Sequence, residues 1–320
     1  MDHGHDMGMW VPPAPPTWLR MFRVHLDSGS FLAVVALVAL VAYLGGVARL
    51  YSTGVRWPWW RVLSFVAGVV ALFGVTGTWL NGYSMVLFSM HMAQHMVLSM
   101  IAPLLLLIGS PVTLALRSLP RGTGAAGAPR ALLLEALHSR FARFISHPLF
   151  TLPLFLVSLY GVYFTPIFDD LMSSEVGHQF MLTHFTVTGL LFFGPILGQD
   201  PWPRTAGHGG RLLELVIPAP FHAFFGVSIM MAGALITTTF RHPPAGWGVD
   251  PMVDQYTAGS IAWSFGELPT VLVLAVVLFS WMNSEERRGR RLDRQAERDQ
   301  DAALEAYNAR LRALAAHTDG

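Results

Sequence analysis

The 320-residue chain contains no cysteine and little charge: only 13% of its residues are charged, and every basic residue is arginine rather than lysine. The absence of cysteine excludes disulfides and thiolate metal sites. A soluble globular protein carries about 25% charged residues, whereas 53% of this chain is hydrophobic. The composition therefore indicates a polytopic membrane protein. The net charge of +1 gives no reason to expect a nucleic acid as partner.

Seven apolar segments approach the roughly 20 residues needed to cross about 30 Å of hydrocarbon. Open sheets leave backbone groups unsatisfied in lipid, so each segment is predicted to be a helix. We therefore predict an all-α membrane helical bundle with seven transmembrane helices. The predicted spans are Phe31–Ala48, Trp60–Leu80, Met85–Ile108, Leu149–Phe168, Phe180–Gly198, Leu213–Thr238 and Thr257–Met282.

Arginine is distributed unevenly between the two sides of this seven-span topology. One side receives 18 arginines and the other receives 3. The positive-inside rule then places the N-terminus outside and the C-terminus in the cytoplasm. We predict an extracytoplasmic Met/His- and Pro-rich tail with an interfacial segment (1–30), a transmembrane domain (31–282) and a charged helical tail (283–320). The opening residues lack the features of a cleavable signal peptide, so the first span is expected to target the chain.

The third span contains unusual polar residues within "SMHMAQHMVLSM". His91 and His95 are four residues apart and therefore share one helical face, with Met92 and Met96 on the adjacent face. From the predicted end of the span, His91 lies about 9 Å deep and His95 about 15 Å deep. Two histidines at this spacing can bind one metal ion, and ionisable residues inside a span usually mark function. The alternative is that both are hydrogen-bonding groups that hold helices together.

The fifth span adds "GHQFMLTH". His178 is predicted at the outer mouth, and His184 lies about 9 Å below it, at the depth predicted for His91. We therefore expect His91, His95 and His184 to converge on a site with three neutral imidazoles, and His178 to fold toward it from the mouth.

The sixth and seventh spans contain further polar residues. Glu267 is a carboxylate deep in a predicted span and would be costly if it were charged and unpaired. His222 falls at a similar depth, so we predict that the two residues pair or share a polar cavity; a purely structural clasp is the alternative. Asp254 opens the same stretch, "DQYTAGSIAWSFGELPT".

The N-terminal tail reads "MDHGHDMGM" and carries His3, His5, Met7 and Met9. Imidazole suits copper in either oxidation state and thioether suits Cu(I). A free terminal amine with histidine at position three can also chelate Cu(II) or Ni(II). The tail is therefore predicted to capture copper, and the alternative is a tail whose composition has no such role.

Several stretches together resemble the CtaG family of bacterial membrane proteins, the assembly factors of caa3-type cytochrome c oxidase. The stretches are "HMAQHMVLSMIAPLLLLIGSPVTLALR", "SHPLF", "GHQFMLTHFTVTGLLFFGPILG", "PAPFHAFFGVSIM" and "DQYTAGSIAWSFGELP". The resemblance implies a seven-helix protein of the bacterial plasma membrane that is needed for active haem–copper oxidase and is connected with copper delivery. It also implies a functional site among His91, His95, His178, His184, His222, Asp254 and Glu267.

The leading hypothesis is a non-enzymatic assembly factor that binds Cu(I) or Cu(II) on the outer side and delivers it to the apo-oxidase. Its expected partners are cytochrome c oxidase subunits, the lipid bilayer and an extracytoplasmic (periplasmic) copper chaperone as donor. Three alternatives remain open. Intramembrane histidines could be axial ligands in a haem-binding or redox protein, the chain could be a copper permease, or it could be a metal-free assembly scaffold.

Overall fold

The computed structural model describes residues 10–27, 30–122, 124–204 and 207–318. These residues are helical and contain no β-strand, although an isolated antiparallel bridge joins Val24 to Thr78. The all-α prediction is confirmed. The helices are α1 Trp18–Met21, α2 Phe31–Ser52, α3 Trp59–Thr76, α4 Trp79–Tyr83, α5 Phe88–Met96, α6 Ala102–Ile108, α7 Pro111–Ser118, α8 Ala128–His138, α9 Arg140–Ile145, α10 Pro148–Tyr163, α11 Ile167–Met172, α12 Glu175–Leu197, α13 His208–Val216, α14 Pro218–Met231 and α15 Pro251–Thr318.

Six helical segments within the described residues are long and apolar enough to cross a membrane. They are α2, α3, Phe88–Ser118, α12, Gly209–Met231 and the first part of α15. The fourth predicted span differs, because α10 has only 16 residues and ends at Tyr163 rather than Phe168. At 1.5 Å per residue it is about 24 Å long, somewhat less than a hydrocarbon core of about 30 Å. The seventh span and the orientation of the termini therefore stay predictions.

Helix ends depart from the predicted spans because polar caps lie outside the apolar windows. Ser174 caps α12 by accepting a hydrogen bond from Gly177 N at 3.1 Å, so the helix starts at Glu175 instead of Phe180. Asp250 accepts from the backbone N–H of Met252 at 2.8 Å, so α15 starts at Pro251 instead of Thr257. Each cap satisfies N–H groups that a helix start leaves without partners.

The segment between α5 and α6, Val97–Ile101, is a π-helical turn. A turn of this kind inserts one extra residue and often occurs beside functional sites. The helix α12 packs closely against it at Gly189, where a Cβ atom would lie 2.1 Å from the carbonyl oxygen of Ser99. Only glycine permits this approach, which fixes α12 against α5 and therefore fixes the depth of their histidines relative to each other.

Two compact units make up the chain, residues 1–273 and 274–320. The first contains α1 to α14 and the start of α15. In the second, α15 continues to Thr318. The boundaries of the three predicted domains stay predictions.

Candidate functional site

The start of α5, the end of α10 and the start of α12 meet at one end of the first unit, which we call the site end. His91 and His178 each lie three residues after the first residue of their helix. By helical rise both are about 4–5 Å from the helix start, whereas His184 is about 14 Å from it. His178, rather than the predicted His184, therefore matches the depth of His91, because Ser174 starts α12 earlier than the apolar window does.

A buried hydrogen-bond chain joins both histidines of α5 to a tyrosine. The Tyr163 hydroxyl lies 3.0 Å from Nε2 of His91 and 2.9 Å from Nδ1 of His95. His91 and Tyr163 are 0% exposed and His95 is 2% exposed. A hydroxyl has one proton to donate, so one imidazole accepts from Tyr163 and the other donates to it. Nε2 of His91 and Nδ1 of His95 are therefore hydrogen-bonded to the Tyr163 hydroxyl rather than directed at a shared metal ion.

On α5 and α12, two buried ring nitrogens have no hydrogen-bond partner among the described residues. They are Nδ1 of His91 and Nε2 of His178, and both are buried. The centroids of the two rings are 6.3 Å apart, and their planes are inclined at 46° to each other. The backbone carbonyl of Ser84 lies near the His91 ring and interacts with it electrostatically. A buried nitrogen without a partner costs free energy, about 1–3 kcal/mol each, and therefore requires an explanation.

Aromatic side chains surround this site. The His91 ring contacts Phe168 at 5.1 Å and Phe240 at 5.9 Å between centroids, and the His95 ring stacks on Phe185 at 3.8 Å. Phe168 and Phe185 are almost completely buried. These phenylalanine rings supply neither charge nor conventional hydrogen bonds, and they exclude water from the imidazoles.

The predicted three-imidazole site of His91, His95 and His184 is not formed. Nε2 of His184 lies 2.7 Å from the hydroxyl of Ser158, which is therefore its hydrogen-bond partner. Among the described residues, no group of three or more His, Cys, Asp or Glu side chains is placed to hold a metal ion. A metal role for the individual histidines stays a prediction.

Other predicted residues have separate positions. Met92 and Met96 are 0% exposed and pack in the core. His222 is 4% exposed, and neither of its ring nitrogens has a partner among the described side chains. The Glu267 side chain lies outside the described residues, so its predicted pairing with His222 is untested. The tail residues His3, His5, Met7 and Met9 also lie outside the described part of the chain.

Asp254 holds the start of α5. Its carboxylate accepts from Phe88 N at 2.6 Å and from the backbone N–H and the hydroxyl of Ser89. Asp254, predicted from the sequence to be one of the polar residues of the spans, therefore caps α5, the helix that carries His91. This cap is supplied from another helix, and it fixes the orientation in which α5 presents its histidines.

Asp169 clasps the segment that follows α14. It accepts from the backbone N–H groups of Thr238 and Thr239 at 3.0 Å and from the Thr239 hydroxyl at 2.6 Å. Partial burial raises the pKa of Asp169, but these hydrogen bonds outweigh burial and hold the pKa below its usual value. This clasp keeps Phe240 beside His91.

The N-terminal segment reaches the same end of the first unit. Trp10 stacks on His25 with centroids 3.8 Å apart, and the Tyr83 hydroxyl donates to the carbonyl of Ala14 at 2.9 Å. The Asp27 carboxylate is close enough to His178 for their charges to interact. The segment that contains Trp10, Ala14 and His25 is therefore anchored at the site end.

Sequence reasoning missed Tyr163, although a signal for it was present. Tyr160 and Tyr163 lie one turn apart in a strongly apolar segment, and a buried tyrosine hydroxyl usually has a hydrogen-bond partner. The π-helical turn after Met96 had no comparable signal.

Comparisons with known proteins point to one family. Residues 41–284 match the family described as cytochrome c oxidase caa3 assembly factor. Uncharacterized proteins of Mycobacterium bovis and Mycobacterium tuberculosis are each 41% identical over 305 residues, which is 94% of this chain and 46% of theirs. The chain thus spans less than half the length of these relatives. No solved structure matches it. Because the family match covers well over half of the chain, the chain belongs to the cytochrome c oxidase caa3 assembly factor family, Caa3_CtaG.

Proposed function

We propose that this chain is a plasma-membrane assembly factor that takes up copper on the outer side and passes it to the apo-oxidase. Oxidase assembly is the role described for the family. Copper is the cargo we assign, because a haem–copper oxidase requires it and because imidazoles suit it. The single observation that carries the copper assignment is the neighbouring pair His91 and His178, whose rings lie 6.3 Å apart and each have one buried nitrogen without a hydrogen-bond partner among the described residues.

The proposed topology keeps seven spans, with α10 as a short fourth span. A segment of 16 residues can be accommodated by local thinning of the bilayer or by burial against neighbouring helices. In this topology the site end faces outward, as does the N-terminal segment. The arginine-rich segments then face the cytoplasm.

Transfer of the ion needs no catalytic step. The proposed sequence is capture by the N-terminal tail, occupation of the site end and release to an oxidase subunit that offers more ligands. Each step exchanges weak ligands for stronger ones, so no bond of the protein itself is made or broken. The acceptor subunit and the extracytoplasmic copper chaperone are the proposed partners.

A metal-free scaffold is the second candidate, and the hydrogen-bond chain through Tyr163 favours it. The hydroxyl satisfies one nitrogen of His91 and one of His95 without any ion. In this reading the polar cluster only holds α5 against α10, and assembly depends on surfaces that contact the oxidase.

Complementation of a deletion strain separates the two candidates. The strain would carry the wild-type gene, a His91→Ala/His178→Ala variant or a His184→Ala control, and the oxidase would be purified and analysed for copper per haem. The copper hypothesis predicts an oxidase that lacks copper only with the double variant. Full copper content with the double variant, at equal expression, would reject copper handling at this site and support the scaffold.

A further inference from the structure

We propose that Nδ1 of His91 and Nε2 of His178 bind one Cu(I) ion in a two-coordinate arrangement, and that Tyr163 is a positioning residue for this site. The inference rests on the proposed function and identifies the ligand atoms and the oxidation state. It differs from the three-imidazole site expected from the sequence, because it excludes His95 and His184 as ligands.

The spacing of the two rings fits one bridging ion. Metal–imidazole bonds of about 2 Å on each side, added to a ring radius of roughly 1 Å for each imidazole, place the ring centroids about 6 Å apart. The measured separation is 6.3 Å. Each ring has one buried nitrogen without a hydrogen-bond partner among the described residues, and these two nitrogens are the proposed ligands.

The surroundings select the class of ion. Structural Zn²⁺ is bound by four ligands and Ca²⁺ or Mg²⁺ by six or more oxygens, and Cu(II) favours a tetragonal set of nitrogen and oxygen ligands. His91 lies among aromatic rings, the Asp27 carboxylate is near His178, and the described residues contain no cluster of three ligands. A monovalent d¹⁰ ion accepts two nearly linear nitrogen ligands, and its single charge costs less to bury than a double charge. Cu(I) meets both conditions, as does Ag(I).

Tyr163 determines which nitrogen of His91 is available to the ion. A neutral imidazole that binds metal through Nδ1 carries its proton on Nε2. That proton is then donated to the Tyr163 oxygen, and the Tyr163 proton is donated to Nδ1 of His95. The reverse order of protons places the His91 proton on Nδ1 and blocks the site. Such an outer hydrogen bond fixes the tautomer and the ring orientation of a metal-binding histidine.

Cu(I) binding to the purified full chain would test the site. To remove binding by the tail, every variant would also carry His3→Ala, His5→Ala, Met7→Ala and Met9→Ala. Affinity would be measured without oxygen against a competing Cu(I) chelator, and X-ray absorption would report the number and type of ligands. We expect one ion with two nitrogen ligands.

Variants of the two ligands and a matched control complete the test. His91→Ala and His178→Ala should abolish binding, and His178→Gln, which keeps the shape and polarity of the side chain, should do the same. His184→Ala should leave binding unchanged. Tyr163→Phe should lower the affinity about 10–100-fold with two nitrogen ligands retained, because the ligands remain but the tautomer is no longer selected. If Tyr163 had only a structural role, its loss would not lower the affinity while both nitrogen ligands stayed bound.

The outcomes distinguish this inference from the proposed function. If the chain binds Cu(I) equally well without His91 or His178, or with three or more ligands, the two-coordinate site is wrong while copper handling stands. If the wild-type chain with its tail intact binds no copper, both are wrong. Tight binding of Zn²⁺ to the same nitrogens would contradict the assigned oxidation state and ligand number.

Discussion

The hydroxyl of Tyr163 should contribute more to stability than any single hydrogen bond in this part of the bundle. Tyr163→Phe removes one oxygen and two hydrogen bonds, to His91 and His95, from a completely buried position. Hydrogen bonds between membrane helices average about 0.6 kcal/mol with a maximum near 1.7. The loss should therefore be about 1–3 kcal/mol in the free energy of unfolding.

A neighbouring tyrosine provides the matched control. Tyr160 lies one turn earlier on α10, and its hydroxyl makes one hydrogen bond, to the carbonyl of Phe221. Tyr160→Phe should cost about 0.6 kcal/mol. Reversible unfolding in mixed detergent micelles would give the free energy of unfolding of both tyrosine variants. The same measurement would be made on His95→Ala and on the double variant Tyr163→Phe/His95→Ala. The double variant should lose less than the sum of the two single losses, because the shared bond can be lost only once.

The reasoning would be refuted if Tyr163→Phe cost no more than Tyr160→Phe. Strict additivity of Tyr163→Phe and His95→Ala would refute it as well, since it would mean that the two side chains do not interact. Either result would show that the hydroxyl does not link the histidines, and the proton order assigned to the site would then be wrong.

Three further predictions follow from the helix caps and close contacts. Asp254→Ala should cost about 1–2 kcal/mol in the free energy of unfolding, because it removes the cap of α5; an unchanged value would contradict the capping role. Gly189→Ala should cost about 1–3 kcal/mol by overpacking against Ser99, whereas Gly74→Ala, with open space around it, should not. The hydrogen bonds of Asp169 lower its pKa, so the stability they contribute is complete above its unfolded pKa of about 3.9 and is lost as the pH falls through the folded pKa. Hydrogen exchange of the segment after α14 should therefore increase at these low pH values. In Asp169→Asn the exchange should no longer show this pH dependence.

The helices could be predicted from the sequence because lipid leaves the backbone few alternatives. An apolar segment of sufficient length must be helical, so the existence of α2, α3 and α12 followed from composition alone. Their ends did not follow, because a side chain such as Ser174 or Asp250 decides where the first N–H groups find partners. Because α12 starts at Glu175, His184 lies about 14 Å from the helix start instead of the predicted depth of about 9 Å, a difference of about 5 Å.

The site was only partly predictable for a related reason. Helical spacing identified His91 and His95 as sharing a face, but it could not show that a tyrosine on another helix lies between them. Asp254 was recognised as polar and intramembrane, yet its partners are at Phe88 and Ser89, far away in the chain. Long-range pairs of this kind depend on packing, which one sequence does not reveal.

The position of the polar cluster also bears on whether an ion could cross the membrane. His178, His91 and Tyr163 lie at the site end, within the first turns of α5 and α12 or the last turn of α10. Farther along the third span, the buried side chains of Leu98 and Leu107 offer an ion no ligand, the Ser99 hydroxyl donates to the carbonyl of His95, and Met100 offers a single thioether.

We therefore expect release of copper on the side from which it entered, rather than permeation. Sealed vesicles containing the purified chain should bind copper but not accumulate it in their lumen, and addition of an external chelator should remove all of it. His222, buried with both ring nitrogens unpartnered among the described side chains, is the group that could extend a path inward. Copper accumulation in the lumen that disappears with His222→Ala would overturn same-side release and establish the permease, because a site that only exchanges ions with one face cannot fill the other compartment.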